Sequence, residues 1–422
     1  MSTVWKSRYA LRTLRVKSSA IRELLKITQR PEVISFGGGL PAPDVFPVKR
    51  FEEACHAVLE QHGAQALQYG PTEGYEPLRE MIAKNMARYG ILAQAENVLI
   101  TSGSQQALDL IGKLLINSGD RVLVEAPTYL GALQAFSVYG AQYLPVAIDD
   151  DGLRTDQLED SLRLRPKFMY ILPNFQNPAG VTLSEARRHQ LIFLADKYGI
   201  PIIEDDPYGQ LRYEGEHLAP LVVLDHRENL RRDNGFTLGN VIYLSTFSKT
   251  LAPGIRLAWI VAPPDVVGKL VMLKQAADLH TATFTQMVAY EVAKDGFLDQ
   301  HIKLIRQVYR ERRDVMLDAL QEFFPSEVTW TRPKGGLFLW VTMPEGTDCR
   351  LLFRAALAEN VAFVPGDCFY GNDAPDGCRH MRLNFSHSKP ELIREGIRRL
   401  SVAVKTHLRE VHAPLEVAGA RH

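Results

Sequence analysis

The sequence has few cysteines and no imbalance of charge. Only four cysteines occur in 422 residues, at no spacing typical of metal ligands or of a disulfide framework. Lysine plus arginine and aspartate plus glutamate number 49 each, so nothing favours nucleic acid as a partner. No apolar run is long enough to cross a bilayer, and the first residues lack the apolar core of a signal peptide. These absences argue against a nucleic-acid or membrane partner and indicate a cytoplasmic protein with reduced thiols.

The order of short apolar segments and helical patterns predicts an α/β protein. Strand-like segments rich in β-branched residues alternate with helices between residues 98 and 262, which is typical of a mostly parallel sheet covered on both faces. In such sheets ligands bind at the carboxyl ends of the strands. A capping box formed by Thr182 and Glu185 is expected to start one of the helices.

The pattern changes after about Ala282, where a long charged helix precedes three strands and an amphipathic carboxyl-terminal helix. We expect four parts on this basis. They are an amino-terminal segment over residues 1–45 that packs with the smaller domain, a large domain over 46–285, a smaller α+β domain over 286–410 and a flexible tail over 411–422. The amino-terminal segment is expected to carry a short helix capped by Ser18 or Ser19.

A lysine between two buried strands is the first candidate for chemistry. Lys249 follows the apolar run at 241–244 and precedes another at 257–262, in a connection stiffened by Pro253 and Gly254. Partial burial next to a cation favours the neutral amine, which can attack a carbonyl carbon. The alternative is a tight turn with an exposed lysine.

Groups that suit a phosphate flank this lysine. The hydroxyls of Thr246 and Ser248 and the guanidinium of Arg256 offer neutral donors and one planar cation, which match a phosphate dianion. Pyridoxal phosphate carries both a carbonyl and a phosphate. The pattern therefore predicts that Lys249 holds pyridoxal phosphate.

Polar side chains also follow other predicted strands. Asp205 ends a strongly apolar strand, where its carboxylate can keep the pyridinium nitrogen of the cofactor protonated. Tyr208 and Asn177 can donate hydrogen bonds to the ring oxygen of the cofactor. Asp206 is expected to point away from Asp205, as neighbours on a strand do. The alternatives are a helix cap or surface ion pair for Asp205, core packing for Tyr208 and a turn for Asn177.

A second phosphate contact is predicted where a helix begins directly after a strand. Free backbone N–H groups at a helix start bind anions, although an ordinary helix cap has the same sequence pattern. The residues concerned are Ser102, Gly103, Ser104 and Gln105. Tyr129 also follows a strand, and its ring can stack on a planar cofactor.

Three short motifs resemble those of a known family. They are Asn177-Pro-Ala-Gly180, Asp205-Asp-Pro-Tyr208 and Ser248-Lys-Thr-Leu-Ala-Pro-Gly-Ile-Arg256. In this order and spacing they look like the fold-type I pyridoxal-phosphate aminotransferases of class I/II, and the similarity extends from about Ser18 to Leu408. Further segments, such as Gln68–Gly74 and Lys274–His280, are most similar to the 2-aminoadipate aminotransferase of prokaryotic lysine synthesis and to kynurenine/aminoadipate aminotransferase.

The resemblance implies a fold, a cofactor and several roles. The fold is a large domain with a mostly parallel seven-stranded sheet covered by helices, joined to a smaller α+β domain. The enzyme is a homodimer with pyridoxal 5'-phosphate, in which Tyr69 reaches the phosphate of the neighbouring subunit. Gly39 and Arg382 meet the substrate carboxylate, Asn177 also contacts the substrate, and Arg22 meets its side chain.

The reaction implied is transfer of an amino group from an L-amino acid to 2-oxoglutarate, with 2-aminoadipate, aromatic, branched-chain and kynurenine-type donors all open. A decarboxylase or lyase on the same fold would use the same cofactor site. A regulator with a DNA-binding domain is a third alternative, but the enzyme-like region is expected to begin by about residue 18, which leaves no room for that domain. The sequence departs from the family pattern at Thr246, where serine is usual, and in its longer tail.

Overall fold

The computed structural model describes residues 4–15, 30–231, 239–372 and 375–412. Its strands are β1 (Ile34–Ser35), β2 (Val98–Thr101), β3 (Arg121–Ala126), β4 (Gln142–Asp149), β5 (Gly152–Leu153), β6 (Met169–Ile171), β7 (Ile202–Asp205), β8 (Val241–Thr246), β9 (Ala258–Val261), β10 (Thr329–Trp330), β11 (Phe338–Thr342), β12 (Val361–Ala362), β13 (Val364–Pro365) and β14 (His380–Asn384). Its α-helices are α1 (Val48–Ala66), α2 (Glu76–Ala87), α3 (Ser104–Leu115), α4 (Leu130–Val138), α5 (Leu158–Arg163), α6 (Glu185–Tyr198), α7 (Leu221–Arg231), α8 (Pro264–Asp278), α9 (Thr283–Ala293), α10 (Phe297–Phe323), α11 (Cys349–Ala358) and α12 (Pro390–His412). Short 3-10 helices cover Val4–Ser7, Leu11–Arg15, Pro43–Val45, Ala95–Asn97, Thr155–Gln157, Pro253–Ile255, Gly366–Phe369 and Pro375–Arg379.

Strands β2 to β9 form one mixed sheet of eight strands in the order β2-β9-β8-β7-β6-β3-β4-β5. The neighbours β8, β7, β6, β3 and β4 pair in parallel, whereas β9 is antiparallel to β2 and β8. The mostly parallel sheet is confirmed, but the predicted number of seven strands is wrong. The additional strand β5 has two residues, too few to show an apolar pattern, and it pairs antiparallel with the end of β4.

Helices cover both faces of this sheet, as predicted. Side chains alternate between the faces along each strand, so Ile202 packs on one face and Ile203 on the other. Helices α1, α2, α6, α7 and α9 contribute to the core on the first face, and α3, α4 and α8 to the core on the second. Each central strand is therefore apolar on both sides, which explains the continuous apolar runs in the sequence.

Another apolar core lies against an antiparallel sheet of four strands in the order β10-β11-β14-β13. Helices α11 and α12 pack there, and β1 pairs in parallel with β12. Helix α10 belongs to two cores, because Leu298 and Ile302 pack under the large sheet while Tyr309 and Met316 pack under the small one. The predicted domain limits at residues 45, 285 and 410 stay predictions. No helix in the described ranges has both the length and the apolarity that a membrane span needs.

The helix ends differ from prediction in two places. Helix α6 begins at Glu185 after Ser184 with no side-chain cap, so the predicted capping box of Thr182 and Glu185 is wrong. The Thr182 hydroxyl instead accepts a 3.3 Å hydrogen bond from the backbone N–H of Phe175. Helix α12 extends to His412, inside the predicted tail, and residues 413–422 lie outside the described part of the chain.

A buried carboxyl group at the end of β3 makes stability depend on pH. Glu125 is 2% exposed, and its Oε2 accepts a 3.0 Å hydrogen bond from the backbone N–H of Leu172. Burial raises its pKa from 4.5 to about 8, although hydrogen bonds from Leu172 and Gln176 act in the opposite direction. The folded protein therefore holds a proton that the unfolded chain releases above its ordinary pKa, so this group lowers stability as the pH rises from 4.5 to about 8.

We expect Glu125→Gln to reduce this pH dependence, because glutamine keeps the acceptor oxygen but does not ionise. The free energy of unfolding of the variant should rise relative to the native protein by about 1.4 kcal/mol per pH unit between about pH 5 and 8, and level off above. Urea unfolding across that range measures the difference, with exposed Glu52→Gln as the control. A difference that stays constant with pH would contradict the assignment.

Candidate active site

A cavity of about 330 Å³ lies at the carboxyl ends of β7 and β8 and is closed on one side by residues of the small sheet. Most of the predicted site residues line it. They are Gly39, Ser104, Gln105, Tyr129, Asn177, Asp205, Tyr208, Thr246, Ser248, Lys249, Arg256 and Arg382. The convergence of strand ends expected from the sequence is therefore confirmed.

Lys249 stands in the connection that follows β8. Its Nζ donates a 2.7 Å hydrogen bond to the backbone carbonyl of Gly39, in the loop after β1. Burial, and then the positive charges of Arg382 and Arg256, lower the pKa of the amine from 10.5 to about 8. The lowered pKa thus raises the fraction of neutral, nucleophilic amine near neutral pH above that of an ordinary lysine.

Asp205, the last residue of β7, presents one free carboxylate oxygen. Its Oδ2 accepts a 2.6 Å hydrogen bond from the Tyr170 hydroxyl, whereas its buried Oδ1 has no hydrogen-bond partner in the described structure. Burial raises the pKa of Asp205 to about 7, opposed by the Tyr170 hydrogen bond and assisted by the charge of Asp206. A buried oxygen without a donor is costly, and a protonated ring nitrogen would supply the missing donor. This carboxylate therefore fits the pyridine ring of pyridoxal phosphate.

Tyr170 was missed by the sequence analysis. It lies in the middle of β6, fully buried, with its ring edge against Phe136 at 5.7 Å between centroids. A tyrosine in an apolar strand looks like a core residue. Only the parallel pairing of β6 with β7, which sets Tyr170 beside Ile203, brings its hydroxyl to the Asp205 carboxylate.

The predicted phosphate contacts lie at the start of α3 and after β8. Ser104, the first residue of α3, has a buried hydroxyl with no hydrogen-bond partner among the described residues. Gly103 before it adopts a φ of +90°, and a Cβ atom there would stand 2.4 Å from a guanidinium nitrogen of Arg256. Thr246 and Ser248 place their hydroxyl oxygens 3.0 Å apart. Free amides at a helix start, hydroxyls and one guanidinium match a phosphate group.

Ser102 is not among the residues that line the cavity. Its hydroxyl lies 3.2 Å from a carboxylate oxygen of Asp278, and its backbone N–H donates to the side chain of Gln106. Asp278 is also paired with the fully buried Lys274 at 2.6 Å. The sequence located the helix start, but the orientation of Ser102 depends on α8, which is distant in sequence.

Arg382 on β14 brings a cation from the small sheet. It is 2% exposed, and its two terminal nitrogens donate 2.8 Å hydrogen bonds to Asn177 Oδ1 and the Gly37 carbonyl. Its Nε has no hydrogen-bond partner within the described ranges. The guanidinium lies 4.2 Å from the ring centre of Phe338, and burial lowers its pKa to about 10. No carboxylate among the described residues pairs with it. A buried, uncompensated guanidinium is suited to an anionic ligand.

Tyr208 and Asn177 lie together on the same wall. Both side chains line the cavity, and burial raises the pKa of the Tyr208 phenol. Because Asn177 Oδ1 already accepts from Arg382, its amide nitrogen is the group left to donate. Tyr129, directly before α4, is partly buried, and desolvation raises the pKa of its phenol.

Tyr69, like Ser102 and Gly103, is not among the residues that line the cavity. Tyr69 is 78% exposed and contacts the ring of His280 edge-on at 5.8 Å between centroids. Arg22, with the predicted helix around it, lies outside the described residues. Across the ranges that are described, no group of three or more histidine, cysteine, aspartate or glutamate side chains could hold a metal ion.

Comparisons with known proteins agree with this geometry. Residues 32–400 match the family Aminotransferase class I and II. The chain is 47% identical over 409 residues to aromatic-amino-acid aminotransferase 1 of Thermococcus litoralis, covering 95% of each chain. It is similar to the structure of LysN, an α-aminoadipate aminotransferase of Thermus thermophilus complexed with N-(5'-phosphopyridoxyl)-L-leucine, with a TM-score of 0.89, 42% identity, and coverage of 97% and 100% of the two chains.

A second solved structure points the same way. The kynurenine aminotransferase of Pyrococcus horikoshii, in complex with PMP, has a TM-score of 0.89 and 43% identity, with 96% of this chain and 98% of that one covered. The strand order, the cavity and the sequence similarity over nearly the whole chain therefore lead to one conclusion. The protein belongs to the class I and II aminotransferase family.

Proposed function

We propose that this aminotransferase takes its amino group from an L-amino acid such as 2-aminoadipate, an aromatic or a branched-chain amino acid, and passes it to 2-oxoglutarate. One observation carries the proposal. The same cavity holds the amine of Lys249, with its pKa lowered to about 8, and an oxygen of Asp205 that has no hydrogen-bond partner in the described part of the chain. A reactive amine and an anion for a protonated ring nitrogen are what pyridoxal phosphate requires of a protein.

The enzyme uses pyridoxal 5'-phosphate. The relative from Thermus thermophilus was crystallised with a phosphopyridoxyl group joined to leucine, and the cavity of this chain fits such a group. Asp205 would face the ring nitrogen. Ser104, Ser248, Arg256 and the free amides of α3 would hold the phosphate. None of the relatives named above is a decarboxylase or a lyase.

Proton transfer at the reacting atoms falls to the side chains on the cavity wall. When bound, the cofactor supplies a carbonyl that takes up the amino group and a ring that stabilises negative charge at the substrate Cα. Lys249 holds the cofactor and then, as a neutral amine, takes and returns the proton at the substrate Cα. Asp205 keeps a proton at the ring nitrogen, and Tyr208 and Asn177 donate to the ring oxygen.

Substrate binding falls to the residues nearer the small sheet. Arg382 would hold the α-carboxylate, and its position on the ring of Phe338 fixes the plane of the guanidinium. Gly39 would lie beside the substrate carboxylate, since it lines the same cavity and its backbone carbonyl is 2.7 Å from Lys249 Nζ. The relatives described above are named for aromatic amino acids, α-aminoadipate and kynurenine, which supports a broad choice of donor.

We also propose a cytoplasmic homodimer. The exposure of Tyr69, an aromatic residue held against His280, supports a role at the contact with a second subunit. Four free cysteines support a reducing compartment.

Lys249 should be the residue that holds the cofactor. Borohydride reduction of the purified protein should fix a pyridoxyl group to the peptide that contains Lys249, as mass spectrometry would detect. Lys249→Ala should abolish turnover while phosphate contacts retain part of the cofactor affinity, and the exposed-site variant Lys113→Ala should behave as the native protein does. Labelling of a different lysine would overturn the assignment.

Tyr69 should act across the subunit contact. Tyr69→Phe and Lys249→Ala homodimers are each expected to be defective, because one loses a phosphate contact and the other its amine. Mixing them under subunit exchange should restore activity, since each heterodimer has one site with both residues. Native mass spectrometry of tagged subunits would monitor the exchange. Subunit exchange without any recovery of activity would contradict a shared site.

Arg22 should discriminate between donors. A charge-assisted pair with the distal carboxylate of 2-aminoadipate is worth about 1.5–3 kcal/mol, so Arg22→Ala should lower kcat/KM for that donor by about one to two decades. Leucine, which has no distal charge, should be affected much less. Arg12→Ala is the control. Equal effects on both donors would show that Arg22 makes no contact with the side chain of the substrate.

A further inference from the structure

Asp206 has a set of contacts that the proposed chemistry does not use. It follows Asp205 but points to the other face of the sheet, as the sequence predicts, and it is 7% exposed. Its Oδ1 accepts hydrogen bonds from Asn174 Nδ2 at 2.9 Å and from the backbone N–H of Gly209 at 2.8 Å. Its Oδ2 accepts from the Tyr243 hydroxyl at 3.2 Å. One carboxylate thus joins three separate segments.

Two of these segments carry the donors on the cavity wall. Asn174 lies three residues before Asn177 in the loop after β6, and Gly209 directly follows Tyr208. Both are bound by the same oxygen, Oδ1 of Asp206. One carboxylate oxygen, which does not line the cavity, therefore links the segments that carry Tyr208 and Asn177.

In the hydrogen bond between Asn174 and Asp206, the amide nitrogen of Asn174 must be the donor. The fully buried guanidinium of Arg188 donates a 2.7 Å hydrogen bond to Asn174 Oδ1, so the amide nitrogen must face Asp206. The turn at Gly209 packs tightly against the Asp206 carboxylate, since a Cβ atom at Gly209 would stand 2.4 Å from Asp206 Oδ2. Neither segment can shift without loss of a buried hydrogen bond.

The main chain of Asp206 is held as firmly as its side chain. Its N–H donates a 2.9 Å hydrogen bond to the Leu244 carbonyl, and its carbonyl accepts one from the Ser245 hydroxyl at 2.9 Å. Both partners lie on β8, the strand that leads to Lys249. The titratable groups that interact with the Asp206 carboxylate are Tyr89, Arg188, Glu204, Asp205, Arg212 and Tyr243.

We propose that Asp206 is a positioning residue, which holds Tyr208 through Gly209 and Asn177 through Asn174 so that both can donate to the ring oxygen of the cofactor. Its effect comes from the acceptor geometry of Oδ1, not from its charge. This inference rests on the proposed function, because it concerns donors to pyridoxal phosphate.

The pH titration of the absorbance of the bound cofactor tests the inference. Proton loss leaves more negative charge on the ring oxygen, so donors to that oxygen lower the pH midpoint. Asp206→Ala releases both segments and should raise the midpoint by about half a unit or more and lower the half-reaction kcat about tenfold, with little change in KM. Asp206→Asn retains an acceptor oxygen and should restore both values.

Two results would overturn the positioning role. If Asp206 acted through its charge, both substitutions would lower the midpoint, because loss of a nearby negative charge favours the more negative form of the cofactor. If its role were only structural, Asp206→Ala would lower Tm and leave the midpoint of the folded protein unchanged. Tyr243→Phe is the matched control: it removes the donor to Oδ2 alone, so the midpoint should stay at the native value.

Asn174→Ala keeps the inference testable if Asp206→Ala does not fold. It removes the Asn174 hydrogen bonds to Asp206 and from Arg188 but leaves the Asp206 contact with Gly209 intact, and Arg188 keeps its 2.9 Å hydrogen bond to the Pro173 carbonyl. This variant should also raise the midpoint, and an unchanged value would overturn the inference. A native protein without a cofactor absorbance band would instead overturn the proposed function, so the two failures are distinguishable.

Discussion

The burial of three consecutive carboxyl groups, Glu204, Asp205 and Asp206, at the end of one strand is the constraint on which the site depends. A buried carboxylate is costly unless donors replace the water that it loses. Glu204 receives two backbone N–H groups at the start of α7, each at 2.8 Å, and Asp206 receives three donors from neighbouring segments. Among the described residues, Asp205 accepts a hydrogen bond from Tyr170 alone. Of these three carboxyl groups, the one that lines the cavity therefore keeps an oxygen without a described donor, and a cationic nitrogen can supply that donor.

The positive charges of the cavity act on one another, because the described residues place no carboxylate against Arg382. Arg382 and Arg256 both lower the pKa of Lys249, after the larger effect of burial. An anion bound at either guanidinium would offset part of that effect. The proton affinity of the amine therefore rises as the site fills, which couples ligand binding to the protonation of the nucleophile.

Residues at the carboxyl ends of the strands could be placed together from the sequence, because a parallel sheet brings these ends to one edge regardless of the details of side-chain packing. Lys249, Asp205 and Asn177 could be placed in one cavity for that reason. The residues that the sequence did not reveal act through contacts between distant segments. Tyr170 looks like a core residue until the register of β6 on β7 is known, and the hydroxyl of Ser102 turns to a carboxylate on α8.

Helix α10 passes through both apolar cores, so the two sheets share one structural element. The cores cannot melt independently, because unwinding of the helix in one removes side chains from the other. A fragment cut at the predicted limit near residue 285 would lose Leu298 and Ile302 from the core of the large sheet. Thermal unfolding should accordingly be cooperative across the whole chain, and dissection into separate folding units would expose apolar surface that promotes aggregation.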